Sequence, residues 1–301
     1  MKARFFSHGK CDICKSEQKE MISEFGSQNL VRCKGCRLVY FDKQCNNFSD
    51  LYDQEYFSKG RNNKANYANY EEMGDKNIIK SNFRFAYDFI NSKSESIGRS
   101  KKNLLDIGAG YGHFIKYLPN NIIARAVEVS KLACSQIKSA GMKVYQGDFL
   151  DIKTGGKYDF ITAFDVIEHQ IHLRNFIKKV YSSLADGGYF IFTTPDYGSI
   201  FNKILKKRAP TIQPNYHNYY FDKPWVIRNF PSFGYRIVSI DTTYFARLTV
   251  AQAWLLASFA FPWINKINML KFAEDIQFGK MVIPCMRLGG IQVIAKKQYP
   301  Q

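Results

Sequence analysis

The sequence predicts an α/β fold built on a parallel sheet, and three observations carry that expectation. Short, continuously apolar runs alternate with segments of helical periodicity between residues 103 and 195. The first run ends in an acid and passes into a glycine-rich turn, "LLDIGAGYGHF" (104–114). Acids recur at the ends of the later runs, at the carboxyl edge where parallel α/β sheets take their ligands.

The elements follow in order. "KNLLDIG" reads as a short buried strand and "GHFIKYLP" as a helix closed by Pro119. "NIIARAVEVS" is a second strand, and "SKLACSQIKSAG" a helix that ends at the glycine after Ala140. "KVYQGDF" gives a third strand and "YDFITAFDVIEH" a fourth. "LRNFIKKVYSSLADGG" is an amphipathic helix, and "YFIFTTPD" the fifth strand. Strands apolar at successive positions are buried on both faces, so helices must cover both sides of the sheet. "YRIVSID" and "GIQVIAKK" add two strands near the end of the chain.

With 301 residues and 46% hydrophobic content, the chain can bury one large domain and a small appendage. The expected division is 1–48, a small cysteine-bearing unit; 49–98, an aromatic and helical lead-in that is a candidate active-site lid; and 99–301, the α/β domain. "MKARFFSHGK" is basic but no apolar h-region follows it, so a cytoplasmic location is expected. The net charge of +17 points to an anionic partner, although its even scatter equally describes solvated faces.

Four of the seven cysteines form two C-x2-C pairs, Cys11 with Cys14 and Cys33 with Cys36. Two residues between ligands let one tight turn aim both thiolates at one tetrahedral ion. The pattern predicts a closed, structural zinc ribbon, with "EMISEF" and "NLVRC" as a hairpin around Gly26. So short a segment buries too little apolar surface to fold by itself, and the ion supplies the missing stability.

The glycines Gly108, Gly110 and Gly112 stand in a G-x-G-x-G order. A pyrophosphate-binding turn wants G-x-G-x-x-G, and here His113 occupies the required position. Asp106 closes the first strand, where a carboxylate meets a ligand with positive charge. Glu128 ends the second strand, at the place of a ribose-binding acid. Asp148 ends the third strand and accepts from an exocyclic amine, while Phe149 offers a face to a purine. Asp165 ends the fourth. A ligand with adenine, ribose and a cationic amino-acid end, but no phosphate, fits this set: S-adenosylmethionine.

Taken with "CDIC", "VRCKGCRLVYFD", "LYDQEYF", "QGDF", "FDVIEH", "LADGGYFIFTTPDYGS" and "YHNYYF", the sequence resembles the class I S-adenosylmethionine-dependent methyltransferases. Within them it is similar to the zinc-ribbon group of sugar C-methyltransferases and surface-polysaccharide enzymes. The resemblance runs from Cys11 to about Phe221. It implies a Rossmann-like, seven-stranded sheet and methyl transfer, and leaves the acceptor open.

The chemistry of such a transfer lies in aligning the acceptor and removing its proton. In the resembling enzymes Glu168-His169 is a recurrent pair beside the cofactor, and the position of His217 carries the catalytic base. Those enzymes often have Glu just before that histidine; here Tyr216 stands there, and the base's partner is undefined. Tyr216, Tyr219 and Tyr220 either stack on a sugar ring or pack.

About 50 residues (roughly 242–289) separate the last two strands. Within them "LTVAQAWLLASFAFPWIN" carries no charge, and two lysines follow it. The stretch 248–271 either lies in a membrane interface or packs on the sheet or in a dimer. The leading functional expectation is C- or O-methylation of a sugar in a surface-glycan pathway, by a protein that is cytoplasmic or peripheral on the inner face of the membrane. The alternative is an RNA methyltransferase that grips RNA through its basic surface and the ribbon.

Overall fold

Alternating apolar residues decide which way each central strand faces. Leu104, Phe160, Ile191 and Ile294 pack into one layer, while Leu105, Ile161, Phe190, Phe192, Val293 and Ala295 pack into the layer opposite. Side chains of successive strand residues point to opposite faces, so one apolar run serves two cores. The computed structural model describes residues 5–7, 9–45, 83–96, 100–209, 211–242, 245–249, 282–287 and 290–298. The lead-in up to residue 82 and the centre of the apolar insertion, 250–281, lie outside these.

The chain opens with β1 (Phe5–Ser7), β2 (Lys19–Phe25), β3 (Gln28–Cys33), β4 (Val39–Phe41) and β5 (Lys43–Cys45). The expected hairpin forms, with β2 antiparallel to β3 and Gly26 at positive φ in the turn. Helix α1 (Arg84–Ser96) leads to β6 (Lys102–Ile107), α2 (His113–Lys116), β7 (Ile122–Glu128), α3 (Lys131–Ser139), β8 (Lys143–Gln146) and β9 (Tyr158–Phe164). Then come α4 (Leu173–Ser183), β10 (Leu184–Pro195), α5 (Ile200–Leu205), β11 (Tyr219–Tyr220) and α6 (Lys223–Asn229). The chain closes with β12 (Tyr235–Thr242), β13 (Phe245–Thr249), β14 (Val282–Arg287) and β15 (Gly290–Lys297).

Seven strands form the main sheet in the order β12-β15-β10-β9-β6-β7-β8. The block from β10 to β8 is parallel, as the sequence predicts. The sheet as a whole is mixed, because β15 runs antiparallel to both β10 and β12. Among the described residues the chain comes to β15 from the antiparallel pair β13–β14, and β15 lies antiparallel to β12, which it follows.

Several elements are shorter than the sequence predicts: β8 stops at Gln146, α4 stops at Ser183 and yields "LADGG" to β10, and two more end for reasons visible in the backbone. Helix α2 stops at Lys116, where Tyr117 and Leu118 bond back three residues in a tightened last turn before Pro119. Strand β9 stops at Phe164, since Asp165 adopts φ +53° and cannot continue the ladder. A 3₁₀ turn, Ile167–His169, follows.

Candidate active site

The glycine loop and the four acids meet along the carboxyl edge of β6, β7, β8 and β9. Gly108 at φ +70° is required twice over: an L side chain is strained there, and an added Cβ would sit 2.5 Å from Val166 Cγ2. Gly112, at φ +75°, turns the chain into α2. Glu128 is buried and braces the loop, since Gly110 N–H donates to Oε2 at 2.8 Å and Ser130 N–H to Oε1 at 2.9 Å. Burial pushes the Glu128 carboxyl up, and these backbone donors hold it back. Asp106 is 2% exposed and accepts from the Thr162 hydroxyl at 2.6 Å. Burial pushes its carboxyl up to about 7, against the pull of that hydrogen bond.

Asp148 and Phe149 divide their work. Asp148 is exposed and Oδ1 caps Leu150 N–H at 2.7 Å. Phe149 is 3% exposed and sets its edge on Phe176, 5.7 Å away, with Lys179 over its ring. The expectation that this ring faces a purine meets a physical obstacle: the apolar layer under β8 has already taken it. Asp165 accepts from the Thr193 hydroxyl at 2.9 Å, which holds the left-handed turn in place.

A second group gathers beside this rim. Glu168, His169 and His217 each offer a ligand atom, and these atoms lie within 4.8 Å of one another. The His169 and His217 rings stand edge to face at 4.9 Å. His217 is buried and its Nδ1–H donates to the Thr211 carbonyl at 2.9 Å. His169, partly open to solvent, gives its Nδ1–H to the Tyr216 carbonyl. Burial keeps both rings neutral, lowering His169 to about 4 and His217 to about 3, the latter helped by His169. Glu168 is 1% exposed, and among the described residues no donor meets either carboxylate oxygen in full hydrogen-bond geometry, the buried Thr194 hydroxyl being the neighbouring side chain that pulls its carboxyl back down. Burial and the nearby Asp165 raise its carboxyl well above the usual range. Tyr216 therefore contributes its backbone carbonyl, and the carboxylate absent from position 216 has a counterpart at position 168.

The cysteine unit holds that second group in place. Its sheet, in the order β11-β4-β3-β2, takes its last strand from Tyr219–Tyr220, so Tyr219 and Tyr220 pair with Tyr40 and Val39. Asn218 is fully buried at the junction. Its N–H donates to the Glu168 carbonyl at 2.8 Å, its side-chain amide to the His169 and Gln170 carbonyls, and its own carbonyl accepts from Phe41 N–H. Cys11, Cys14, Cys33 and Cys36 converge with all four sulfurs within 4.8 Å. Cys11 and Cys36 stand 3.6 Å apart, and Cys14 and Cys33 stand 3.4 Å apart. Sulfurs bound at about 2.3 Å around a tetrahedral ion stand roughly 3.8 Å apart, so this spacing suits zinc.

The structure thus brings Asp106, the three glycines, Glu128 and Asp165 to one rim, with Asp148 at its outer end and His169, His217 and Tyr216 alongside. Thr162 and Asn218 were not legible as site residues in the sequence, whereas Glu168 was named there with His169 as a pair beside the cofactor. For Glu168 the signal existed, an acid one residue before a histidine just past a strand end; for Thr162 and Asn218 nothing local marks them.

A family model described as methyltransferase domain matches residues 79–240, more than half of the chain. None of the curated proteins matches it. Among solved structures the chain is similar to an S-adenosylmethionine-dependent methyltransferase from Clostridium acetobutylicum ATCC 824, at 15% identity over 77% of this chain and 99% of that one, with a TM-score of 0.48. It is also similar to the magnesium protoporphyrin IX methyltransferase of Synechocystis PCC 6803, at 12% identity over 81% of this chain and 91% of that one, with a TM-score of 0.47. With that family match laid over the glycine loop and the acidic rim, the chain belongs to the methyltransferase-domain family and is an S-adenosylmethionine-dependent methyltransferase.

Proposed function

We propose that this enzyme methylates a sugar of a surface-glycan pathway and removes the acceptor's proton at the cluster around His217. The observation that carries the reading is the convergence of Glu168, His169 and His217 beside the glycine loop. Val166, two residues before Glu168, is the side chain that an added Cβ at Gly108 would strike. The cluster therefore lies next to the glycine loop, as proton removal beside a bound cofactor requires. The sugar rests on the resemblance of "YHNYYF" and the cysteine pairs to the sugar-modifying group. That Tyr219–Tyr220 completes the cysteine unit's sheet supports a scaffold role for the ribbon over a grip on RNA.

The residues of the rim fit the cofactor. Asp106 is a buried carboxyl whose charged form needs a cationic partner, and Glu128 stands where ribose hydroxyls are taken. S-adenosylmethionine, when bound, supplies a methyl carbon on a sulfonium. Asp106 and Glu128 would hold and orient it, and the glycines keep the backbone close. The four cysteines would hold a structural zinc ion, which fixes β3 and β4 and through them residues 218–220. His217, neutral at neutral pH, has its Nδ1–H committed to Thr211, which leaves the Nε2 lone pair for the site.

The test is His217→Ala assayed with a panel of nucleotide-linked sugars. Turnover should fall by roughly 10²–10⁴-fold, the range for loss of a positioned proton acceptor, with cofactor affinity by calorimetry unchanged. Full activity in the variant, or a wild-type enzyme that methylates RNA and no sugar in the panel, would overturn the reading.

A further inference from the structure

Outside the rim, the cluster at residues 168, 169 and 217 has features that proton transfer alone does not explain. Both imidazoles are anchored through Nδ1 on backbone carbonyls, Tyr216 for His169 and Thr211 for His217. A carbonyl only accepts, so each Nδ1 carries the proton and each Nε2 carries the lone pair. This is the anchoring that metal-ligating histidines show, with the far nitrogen donating to a carbonyl and so fixing the tautomer. The third member is a buried carboxyl within ligand reach of both rings, and among the described residues only the Thr194 hydroxyl acts on it as a side-chain donor, without full hydrogen-bond geometry. The ionised form of an acid so placed is costly unless something positive meets it.

We propose that Glu168, His169 and His217 form a binding site for a divalent first-row transition ion, distinct from the cysteine cluster, that holds and acidifies the acceptor's hydroxyl. Two imidazole nitrogens and one carboxylate select manganese, iron, cobalt or zinc over the all-oxygen ions magnesium and calcium. Three protein ligands leave coordination positions open. The site's role rests on the methyl-transfer reading above; the binding does not. The acceptor O–H releases its proton to water, an O–CH₃ bond forms as the CH₃–S bond breaks, and the sulfur leaves as a neutral thioether. A bound ion replaces direct proton removal by His217: the Nε2 lone pair goes to the ion, the loss of turnover in His217→Ala becomes the loss of a ligand, and the acceptor atom is oxygen.

The experiment titrates Mn²⁺ into full-length protein whose cysteine cluster is loaded with zinc, read by electron paramagnetic resonance. The expected result is one Mn²⁺ bound per chain. Glu168→Gln should weaken that binding at least tenfold; it copies the neutral carboxyl that burial already favours, so the variant folds. His217→Ala should weaken it similarly. Cofactor affinity, measured on the same samples, should hold in both variants. Absence of bound Mn²⁺ in the wild type, or equal binding in Glu168→Gln, would overturn the site. Methyl transfer that is undiminished without added ion, in protein shown to carry only its zinc, would overturn the role and leave the methyltransferase reading standing. Failure of the cofactor to bind would count against that reading alone.

Discussion

Asp106 shows how one buried group couples stability to ligand binding. Its carboxyl is raised to about 7 by burial, above the roughly 3.9 of an unfolded chain. The folded protein therefore binds the extra proton, and this stabilising contribution is present at low pH and lost as pH rises through about 7. A cationic ligand reverses the preference, because it needs the carboxylate. Cofactor affinity should rise by up to about tenfold per pH unit below 7 and level off above, with a proton released on binding. Calorimetry across pH checks this, and Asp106→Asn should flatten the profile and weaken binding. The histidine pair has the opposite sign. His169 and His217 are lowered to about 4 and about 3, so their contribution is present above roughly pH 6.5 and lost as pH falls through those values. These two contributions oppose each other across the pH range, the one lost towards neutral pH and the other towards acid.

At the scale of elements, the docked cysteine unit is the instructive case. Helix α4 reaches it at Asp12, whose carboxylate caps Arg174 N–H at 2.9 Å, and Asn229 donates to the Cys36 carbonyl. The hydrogen bonds of Asn218 then tie β4 to the backbone of Glu168 and His169. Loss of the ion should consequently disorder the 211–221 segment while leaving the glycine loop intact, since the loop is braced within the main sheet by Glu128. For Cys33→Ser we expect cofactor affinity within about threefold of wild type and turnover down by roughly 10²-fold, the cost of misplacing a reacting group by about 1 Å. Equal losses of affinity and turnover would mean that the ribbon supports the whole domain. The elements also explain what the sequence left illegible. The strand–helix alternation and the hairpin around Gly26 were local patterns and were readable; the fourth strand of the cysteine unit pairs Tyr219 with Tyr40, 179 residues earlier, and is too short and too distant to leave a pattern.

For the whole molecule, the open question is the apolar insertion. Among the described residues no helix is long and apolar enough to cross a membrane. The insertion leaves the main sheet after β12 and returns before β15 through the antiparallel stem β13–β14. A short connection across that stem should therefore preserve the fold. Replacing residues 251–280 with a short Gly/Ser linker is expected to leave cofactor affinity unchanged and to abolish retention on anionic vesicles, if the 248–271 stretch is the surface anchor proposed from its composition. Vesicle retention equal to wild type would assign the contact to the scattered basic surface instead. Loss of folding would make the insertion part of the core.

The sequence by itself determined the parallel block of the sheet, the glycine loop, the acids of the rim and the four clustered cysteines. Each of these is written in the period, the turn chemistry or the ligand spacing of a contiguous stretch. Only the tertiary structure decided that Phe149 serves the core, that Tyr219–Tyr220 belongs to the cysteine unit, and that Glu168 is buried against two histidines 48 residues apart. Those outcomes depend on which distant surfaces exclude water from a side chain, and no local pattern records that competition.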